Sequence, residues 1–296
     1  MTTFELQSRR QFIKNTAKFC GACSLLFPLD KMESKTLNNK SPASNLTEAR
    51  NYEKLPNRKI KCGLCPRECV IDDQETGYCG VRENHGGTYY TLVYGRPCSI
   101  NKDPIEKKPL FQFLPGSDAF SIATVGCNVL CKFCQNWQIS QARPDQIDSY
   151  DLPPRAIAEN AGKYSCKSIA YTYTEPVIFT EYMYDCAVQG HQQNVKSVMI
   201  SNGYIKAQPM KDLCKVLDAV KIDLKAFTEK FYQEMVTGHL QPVLDTLVLL
   251  KQEGMWTEIV YLMIPTLNDD PKELQQLCHW ILKEFTHSCR FPIRWK

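Results

Sequence analysis

The sequence lacks the features that mark several specialised classes of protein. Its 36 basic and 32 acidic residues give a net charge of +4 without long runs of one sign, so there is no electrostatic case for nucleic-acid binding. It also lacks low-complexity tracts, sequence repeats and any apolar run long enough to span a membrane as a helix. With 296 residues, 43% of them hydrophobic, the chain is predicted to be globular, with one large domain and a small appendage.

Residues 1–50 are predicted to be a leader and a polar linker. Arg9 and Arg10 precede a short apolar stretch from Phe19 to Leu29, and this twin-arginine-like pattern over residues 8–29 indicates export or membrane association. An amphipathic N-terminal helix is the alternative, since no clear small-residue cleavage site follows. Because thiolate ligands require a reducing assembly site, cytoplasmic chemistry is expected, and the two indications leave the localisation open.

Fifteen cysteines are many for a chain of this size. Seven of them fall into two tight groups, which indicates metal ligands rather than the dispersed pairs of a disulfide scaffold. The first group is Cys62, Cys65, Cys69 and Cys79, and the second is Cys127, Cys131 and Cys134. Others lie singly within apolar patterns and are predicted to be buried core thiols, namely Cys166, Cys186, Cys214 and Cys278.

Strand and helix patterns alternate from residue 116 to the end. Nearly continuous apolar runs predict buried parallel strands at Phe120–Val125, Ser168–Tyr173, Ser197–Ser201, Ala219–Leu224 and Glu258–Ile264. Three- and four-residue apolar spacing predicts helices at Pro154–Tyr164, Ile178–Gln192, Met210–Leu217, Val243–Glu253 and Pro271–Phe285. The fold class is therefore α/β, a partial (β/α) barrel over residues 116–296. A small Cys-rich metal-binding module and a connector are predicted over residues 51–115.

The second cysteine group immediately follows the first predicted barrel strand, in the run G-C-N-V-L-C-K-F-C-Q-N-W. Three thiolates on one loop can ligate three irons of a [4Fe-4S] cluster and leave the fourth iron open to a small molecule. A closed structural zinc site would need a fourth ligand, and no Cys or His occurs in the next thirty residues. An open metal position at the active end of a barrel predicts chemistry.

The pattern Cys-x-x-x-Cys-x-aromatic-Cys, with Phe133 at the aromatic position, resembles the signature of radical S-adenosylmethionine (SAM) enzymes. The resemblance implies that SAM is held at the ends of the next three strands, by Tyr173, Thr174, Glu175, Ser201, Asn202, Asp223 and Lys225. Glu175 could instead cap the helix after it, and the other segments could be a plain turn and a solvated strand end. In this chemistry the protein orients the cofactors and excludes water from a 5'-deoxyadenosyl radical.

Further motifs narrow the resemblance. D-P-I-E-K-K-P-L, C-Q-N-W-Q-I-S, Y-T-Y-T-E-P, D-L-K-A-F and I-P-T-L-N-D together resemble the radical SAM member of the AmmeMemoRadiSam gene system, which is similar to pyruvate formate-lyase activating enzymes. This implies hydrogen abstraction from a protein, peptide or small molecule, with a glycyl-radical enzyme as the family-suggested substrate. It also implies a one-electron donor such as flavodoxin or ferredoxin.

The first cysteine group belongs to the same resemblance, through C-G-L-C-P-R-E-C and Y-C-G-V-R-E-N. Four thiolates suffice for a closed zinc site or for an auxiliary iron-sulfur cluster, and their spacing does not choose between the two. A non-catalytic iron-sulfur or zinc binding protein, or an electron carrier, is the alternative function. A SAM-cleavage assay discriminates the two functions.

The chain departs from the family pattern near Lys296. The resemblance implies a further strand and helix, so about one β/α unit is expected to be missing, with an unpaired sheet edge as the consequence.

Overall fold

The structure is a computed structural model, and it describes residues 46–285 and 293–295. The predicted leader at residues 8–29 lies outside the described residues. Within the described ranges, no helix is both long and apolar enough to cross a membrane.

Residues 46–98 contain two small antiparallel sheets of three strands each, in the orders β1-β6-β5 and β2-β3-β4. Their strands are β1 (Thr47–Glu48), β2 (Tyr52–Lys54), β3 (Ile60–Cys62), β4 (Val70–Ile71), β5 (Arg82–His85) and β6 (Thr88–Thr91). Gly86 and Gly87 both have positive φ in the two-residue turn between β5 and β6, as such a tight hairpin requires. These short strands support the loops that carry the first cysteine group.

A seven-stranded sheet forms the centre of the described structure, in the order β13-β12-β11-β10-β9-β8-β7. Its strands are β7 (Ser99–Pro104), β8 (Asp118–Ala123), β9 (Ser168–Tyr171), β10 (Lys196–Ser201), β11 (Ala219–Leu224), β12 (Trp256–Met263) and β13 (Ile293–Trp295). Every neighbouring pair is parallel except β7–β8. The predicted α/β fold with a central parallel sheet is confirmed, and the sheet stays open between β7 and β13.

Helices follow the strands and cover one face of the sheet. They are α1 (Trp137–Ser140), α2 (Pro154–Lys163), α3 (Thr180–Gln192), α4 (Ala207–Cys214), α5 (Glu229–Phe231), α6 (Leu240–Gln252) and α7 (Pro271–Phe285). Shorter 3-10 turns occupy Pro56–Arg58, Ile105–Lys107 and Pro176–Phe179, and a π-helical turn occupies Tyr232–Val236. The structure confirms each of the five predicted helices, with α2 and α7 beginning at a proline whose fixed φ suits a first turn.

The segment between β7 and β8, residues 105–117, fills part of the concave face of the sheet. Ile105 and Leu110 are fully buried against inward-facing strand residues, which are Ala119, Ala170, Val198, Ile200 and Ala219. The fully buried Glu258 of β12 accepts hydrogen bonds from the backbone N–H groups of Phe111, Gln112 and Phe113, at 2.8, 3.1 and 3.1 Å. These contacts fix the connector beneath the cavity described below.

The strand Ile293–Trp295 pairs in parallel with Tyr261–Met263 of β12 and is itself the edge of the described sheet. One expectation about the core cysteines is corrected. Cys278 is exposed because it lies on the solvent side of α7, next to the buried Leu277. Cys214 is half-buried, whereas the predicted core positions of Cys166 and Cys186 are confirmed.

Candidate functional site

A cavity of about 490 Å³ opens at the C-terminal ends of the central strands, a size typical of cofactor pockets. Its lining includes every residue predicted for the cluster and for SAM, eleven in all: Cys127, Cys131, Phe133, Cys134, Tyr173, Thr174, Glu175, Ser201, Asn202, Asp223 and Lys225. They come together because parallel strands end at the same edge of a sheet, and each group follows or ends one of β8 to β11.

Neighbouring elements hold the loop that bears the second cysteine group. The backbone N–H groups of Leu130 and Lys132 donate to the carbonyls of Val236 and Met235, at 3.0 and 2.9 Å. These bonds attach the loop to the π-helical turn and keep its thiols facing the cavity.

The three thiols of this loop have the chemistry of cluster ligands. Cys134 Sγ lies 3.3 Å from Ser140 Oγ, and Cys127 Sγ lies 4.0 Å from Asn202 Nδ2. Burial raises the pKa of Cys131 to about 11 and that of Cys127 well above its ordinary value, so iron binding must displace protons from the thiols.

The donor set fits a cluster with one open iron. Among the described residues that line the cavity, there is no fourth cysteine and no histidine. No three His, Cys, Asp or Glu side chains in the described part of the chain converge closely enough to hold a single metal ion. Three thiols on one loop, without a fourth protein ligand among the described lining residues, fit a cluster with one open iron.

Glu175 lies at the centre of a buried hydrogen-bond network and is 1% exposed. Its Oε1 accepts from Val177 N at 3.1 Å and Ser201 Oγ at 2.6 Å, and its Oε2 accepts from Asn202 N at 2.8 Å. The helix-cap alternative is therefore present in the structure, in the bond from Val177, but two further bonds tie the carboxylate to the end of β10. Burial raises the pKa of Glu175 to about 7, against the opposing hydrogen bonds from Asn202 and Ser201.

Tyr173 turns away from Glu175 because its backbone has a φ of +67°, a left-handed conformation that is rare outside functional sites for a bulky residue. Its carbonyl accepts from Asn136 Nδ2 at 2.7 Å, which ties it to the cluster loop. Its hydroxyl donates to Asp103 and accepts from Lys108 Nζ at 2.9 Å.

Asp223 binds two lysines at the end of β11. Its Oδ2 lies 3.2 Å from Lys225 Nζ, and its Oδ1 accepts from Lys221 Nζ. Although burial opposes ionisation, these two ammonium groups lower the pKa of Asp223 to about 2. The carboxylate is therefore charged throughout the physiological range.

Sequence reasoning missed Asp103, Lys107, Lys108 and Lys221 as residues of this site. The segment Asp103–Lys108 lies within the motif D-P-I-E-K-K-P-L, but its charged residues are also typical of a solvent-exposed connector. A lysine at an interior position of the predicted strand Ala219–Leu224, two residues before Asp223, was the available signal for Lys221, because an unpaired buried charge is costly.

The first cysteine group surrounds a separate small cavity of about 20 Å³, which Cys62, Cys65, Cys69 and Cys79 line together. Burial raises the pKa of Cys65 to about 12 and that of Cys79 to about 11. The thiols gather around one space, yet no three of them converge on a single-ion position within the described residues. A zinc ion, with sulfur ligands at about 2.3 Å, would require them to move inward.

The two cysteine groups line different cavities but their backbones touch. At Gly126, whose φ is +94°, a Cβ atom would lie 2.8 Å from the carbonyl oxygen of Cys79 and 2.6 Å from Val81 Cγ1. Arg67 Nε donates to the Asn128 carbonyl at 2.5 Å. The Cys-rich segment, residues 61–84, therefore packs directly on the start of the cluster loop, residues 126–134.

Comparisons with known proteins identify the family to which the chain belongs. A family model described as the Radical SAM superfamily matches residues 121–278. An uncharacterized protein of Methanocaldococcus jannaschii is 44% identical over 239 residues, which cover 81% of this chain and 71% of that protein. The pyruvate formate-lyase-activating enzyme of Listeria monocytogenes is 23% identical over 177 residues, covering 55% of this chain and 68% of the enzyme.

Among solved structures, a domain of the pyruvate-formate lyase-activating enzyme from Bacteroides vulgatus is similar in fold. It covers 43% of this chain and 77% of its own length, at 16% identity and a TM-score of 0.39.

Proposed function

Since the chain belongs to the radical SAM superfamily, we propose that it cleaves SAM reductively at a [4Fe-4S] cluster held by Cys127, Cys131 and Cys134. A reduced cluster held there would supply one electron to the carbon-sulfur bond of SAM, whose cleavage would give methionine and a 5'-deoxyadenosyl radical able to take a hydrogen atom from the substrate. The observation that carries the proposal is the single cavity that joins these three thiols to the Glu175 network.

In this proposal the residues of the cavity have different roles in binding SAM. Glu175 accepts the amino group of SAM, because its charge complements an ammonium and it is already fixed by Ser201 and Asn202. Asn202 also lies against Cys127, so it links the amino-acid end of SAM to the cluster loop. Asp223 and Lys225 offer an acceptor and a donor at the neighbouring strand end.

The substrate side of the proposal follows the activating-enzyme similarity. We expect hydrogen abstraction from a protein, peptide or small molecule, with a glycyl-radical enzyme as one such substrate and a flavodoxin or ferredoxin as electron donor. Membership of the AmmeMemoRadiSam group rests on the motifs and stays a prediction. So do the domain boundaries at residues 50 and 115 and the twin-arginine leader.

Anaerobic reconstitution followed by iron and sulfide analysis and a 5'-deoxyadenosine assay tests the proposal. The expected result is a cluster whose spectrum changes on SAM addition and which produces 5'-deoxyadenosine when reduced. A protein that binds iron and sulfide but never cleaves SAM would instead be the non-catalytic iron-sulfur protein or electron carrier.

Replacing Glu175 by Gln is expected to weaken SAM binding by roughly 10- to 100-fold, the effect of losing a charge-assisted hydrogen bond. The cluster should remain intact, because Glu175 is not one of its ligands. Isothermal titration with SAM under anaerobic conditions measures the change. Glu159→Gln is the matched control, because Glu159 is an exposed residue of α2 that pairs with Arg155.

The same carboxyl group predicts a pH dependence. Because the pKa of Glu175 is raised to about 7, the group becomes protonated as the pH falls through this value, and SAM affinity should fall between pH 8 and pH 6. The ionisable groups that interact with the Glu175 carboxyl group include Lys225, Cys127 and Cys131. The Glu175→Gln variant should lose this dependence, and an unchanged affinity would return Glu175 to a capping role alone.

Replacing both Cys62 and Cys65 by Ser is expected to remove one metal site or cluster and to lower stability, because bound metal contributes folding free energy. Protein that stays folded should still cleave SAM, since the two groups line different cavities. Metal analysis identifies the lost species: zinc alone indicates a structural site, and about four irons indicate an auxiliary cluster. Loss of the SAM-responsive cluster in folded protein would show that the groups share ligands.

A further inference from the structure

Two buried lysines line the cavity without a role in the proposed cofactor chemistry. Lys108 comes from the connector and Lys221 from the middle of β11, and their side chains are only 2% and 3% exposed. Each is held by one aspartate: Lys108 Nζ lies 2.5 Å from Asp103 Oδ2, and Lys221 Nζ binds Asp223. Both ammonium groups are thus fixed in place before any ligand binds.

Among the described residues, Lys108 makes two of the three hydrogen bonds that an ammonium group can donate. They go to Asp103 at 2.5 Å and to the Tyr173 hydroxyl at 2.9 Å. Its Nζ also lies 4.1 Å from the centre of the Tyr173 ring. Because Lys108 lines the cavity, the third donor is available to an acceptor group bound there.

Lys108 and Lys221 line the same cavity and repel each other. Burial lowers the pKa of Lys108, and the positive charges of Lys107 and Lys221 lower it further, against the pull of Asp103. An anion placed between Lys108 and Lys221 would relieve their repulsion.

The apolar surroundings make the burial of two ammonium groups unfavourable for the stability of the fold, unless a ligand binds to them. Ile200, Val260 and Leu262 form the apolar wall beside Lys221, and a buried ion pair seldom stabilises a fold more than apolar packing does. Binding sites combine such apolar walls with a few placed polar groups.

We propose that Lys108 and Lys221 bind an oxyanion of the substrate, a carboxylate or a phosphate. This inference rests on the proposed function, because it supplies the substrate class for the same cavity. Tyr173 has a left-handed backbone conformation, and its side chain faces the connector, whereas Glu175 faces the end of β10. SAM binding and substrate binding are therefore assigned to different sides of the cavity. We therefore expect the substrate to bind with its charged group directed toward the connector.

Equilibrium dialysis with radiolabelled inorganic phosphate and, separately, radiolabelled acetate tests the inference. The full chain is reconstituted with its cluster and saturated with SAM without reductant, so that no turnover occurs. We expect about one equivalent of at least one anion to bind. Binding of phosphate alone identifies a phosphate-bearing substrate, and binding of acetate alone a carboxylate.

Two variants should weaken this binding by about tenfold or more, because each removes a charged donor. They are Lys221→Met and the double variant Asp103→Asn/Lys108→Met. The double variant removes both members of a charged pair, so it leaves no unpaired carboxylate behind. It provides the test if Lys221→Met fails to fold. Lys102→Met is the control, because Lys102 is an exposed residue of β7 paired with Asp118, and it should retain full affinity.

Failure to bind either anion, or equal affinity in the folded cavity variants and the wild type, overturns the inference. So does an equal loss of affinity in Lys102→Met. The same preparation is then reduced and assayed for 5'-deoxyadenosine. SAM cleavage without anion binding overturns the oxyanion site alone, whereas anion binding without SAM cleavage overturns the proposed function alone.

Discussion

Replacing Cys127, Cys131 or Cys134 by alanine is expected to abolish the SAM-responsive cluster and to lower reductive SAM cleavage by at least about 1000-fold, some 4 kcal/mol of transition-state stabilisation. Two remaining thiolates leave two irons open to solvent and oxidation, and no other cysteine among the described cavity residues can replace the lost one. Iron and sulfide content, the visible spectrum with and without SAM, and 5'-deoxyadenosine production measure the effect.

Cys278→Ala is the matched control, because Cys278 is an exposed thiol on α7 and the substitution is chemically the same. It should leave the cluster and SAM cleavage at wild-type levels. If all three single variants of the cluster loop keep a spectrum that SAM perturbs, the assignment of the cluster ligands is wrong.

Replacing Arg82 by Met is expected to lower the free energy of unfolding by about 3–5 kcal/mol, because it leaves a buried carboxylate without its partner. Arg82 on β5 and Glu181 on α3 have side chains only 1% and 2% exposed. Arg82 Nη1 donates to Glu181 Oε1 at 3.1 Å and Arg82 Nε to the Ile178 carbonyl at 3.0 Å. The pair holds the Cys-rich segment against the helix that follows β9. Urea unfolding followed by circular dichroism gives the change.

The exposed pair Arg155–Glu159 on α2 provides the control, and Arg155→Met should cost less than about 0.5 kcal/mol because solvent screens such a pair. The double variant Arg82→Met/Glu181→Leu should recover part of the loss, since it removes both buried charges together. If Arg82→Met is as mild as Arg155→Met, the buried pair does not fasten the Cys-rich segment.

Local pattern was enough to predict five strands of the central sheet, β8 to β12, and the cysteine loop that follows the first of them. Phe120–Val125 and Ser197–Ser201 are nearly continuous apolar runs, as is typical of strands buried on both faces of a parallel sheet. Once the strands are placed, their common C-terminal edge brings Glu175, Ser201 and Asp223 together, so the site follows from topology.

The connector could not be predicted in the same way. Its path depends on Glu258, which accepts hydrogen bonds from backbone groups 145 to 147 residues earlier in the chain. No local pattern reports so distant a contact. The left-handed backbone conformation of Tyr173 could not be predicted either, because a tyrosine in the sequence does not indicate a positive φ. Asp103 and Lys108 therefore read as an ordinary charged linker.

The connector's position outside the β/α repeats has an evolutionary consequence. The residues assigned to the cluster and to SAM belong to strand ends and to the cysteine loop, whereas Asp103 lies in β7 and Lys107 and Lys108 lie between β7 and β8. Substitutions at these three positions would alter part of the proposed substrate site without touching a cluster ligand, while Lys221 on β11 would keep the second charged donor. Descendants of such a chain could therefore change the substrates they accept without rebuilding the radical chemistry.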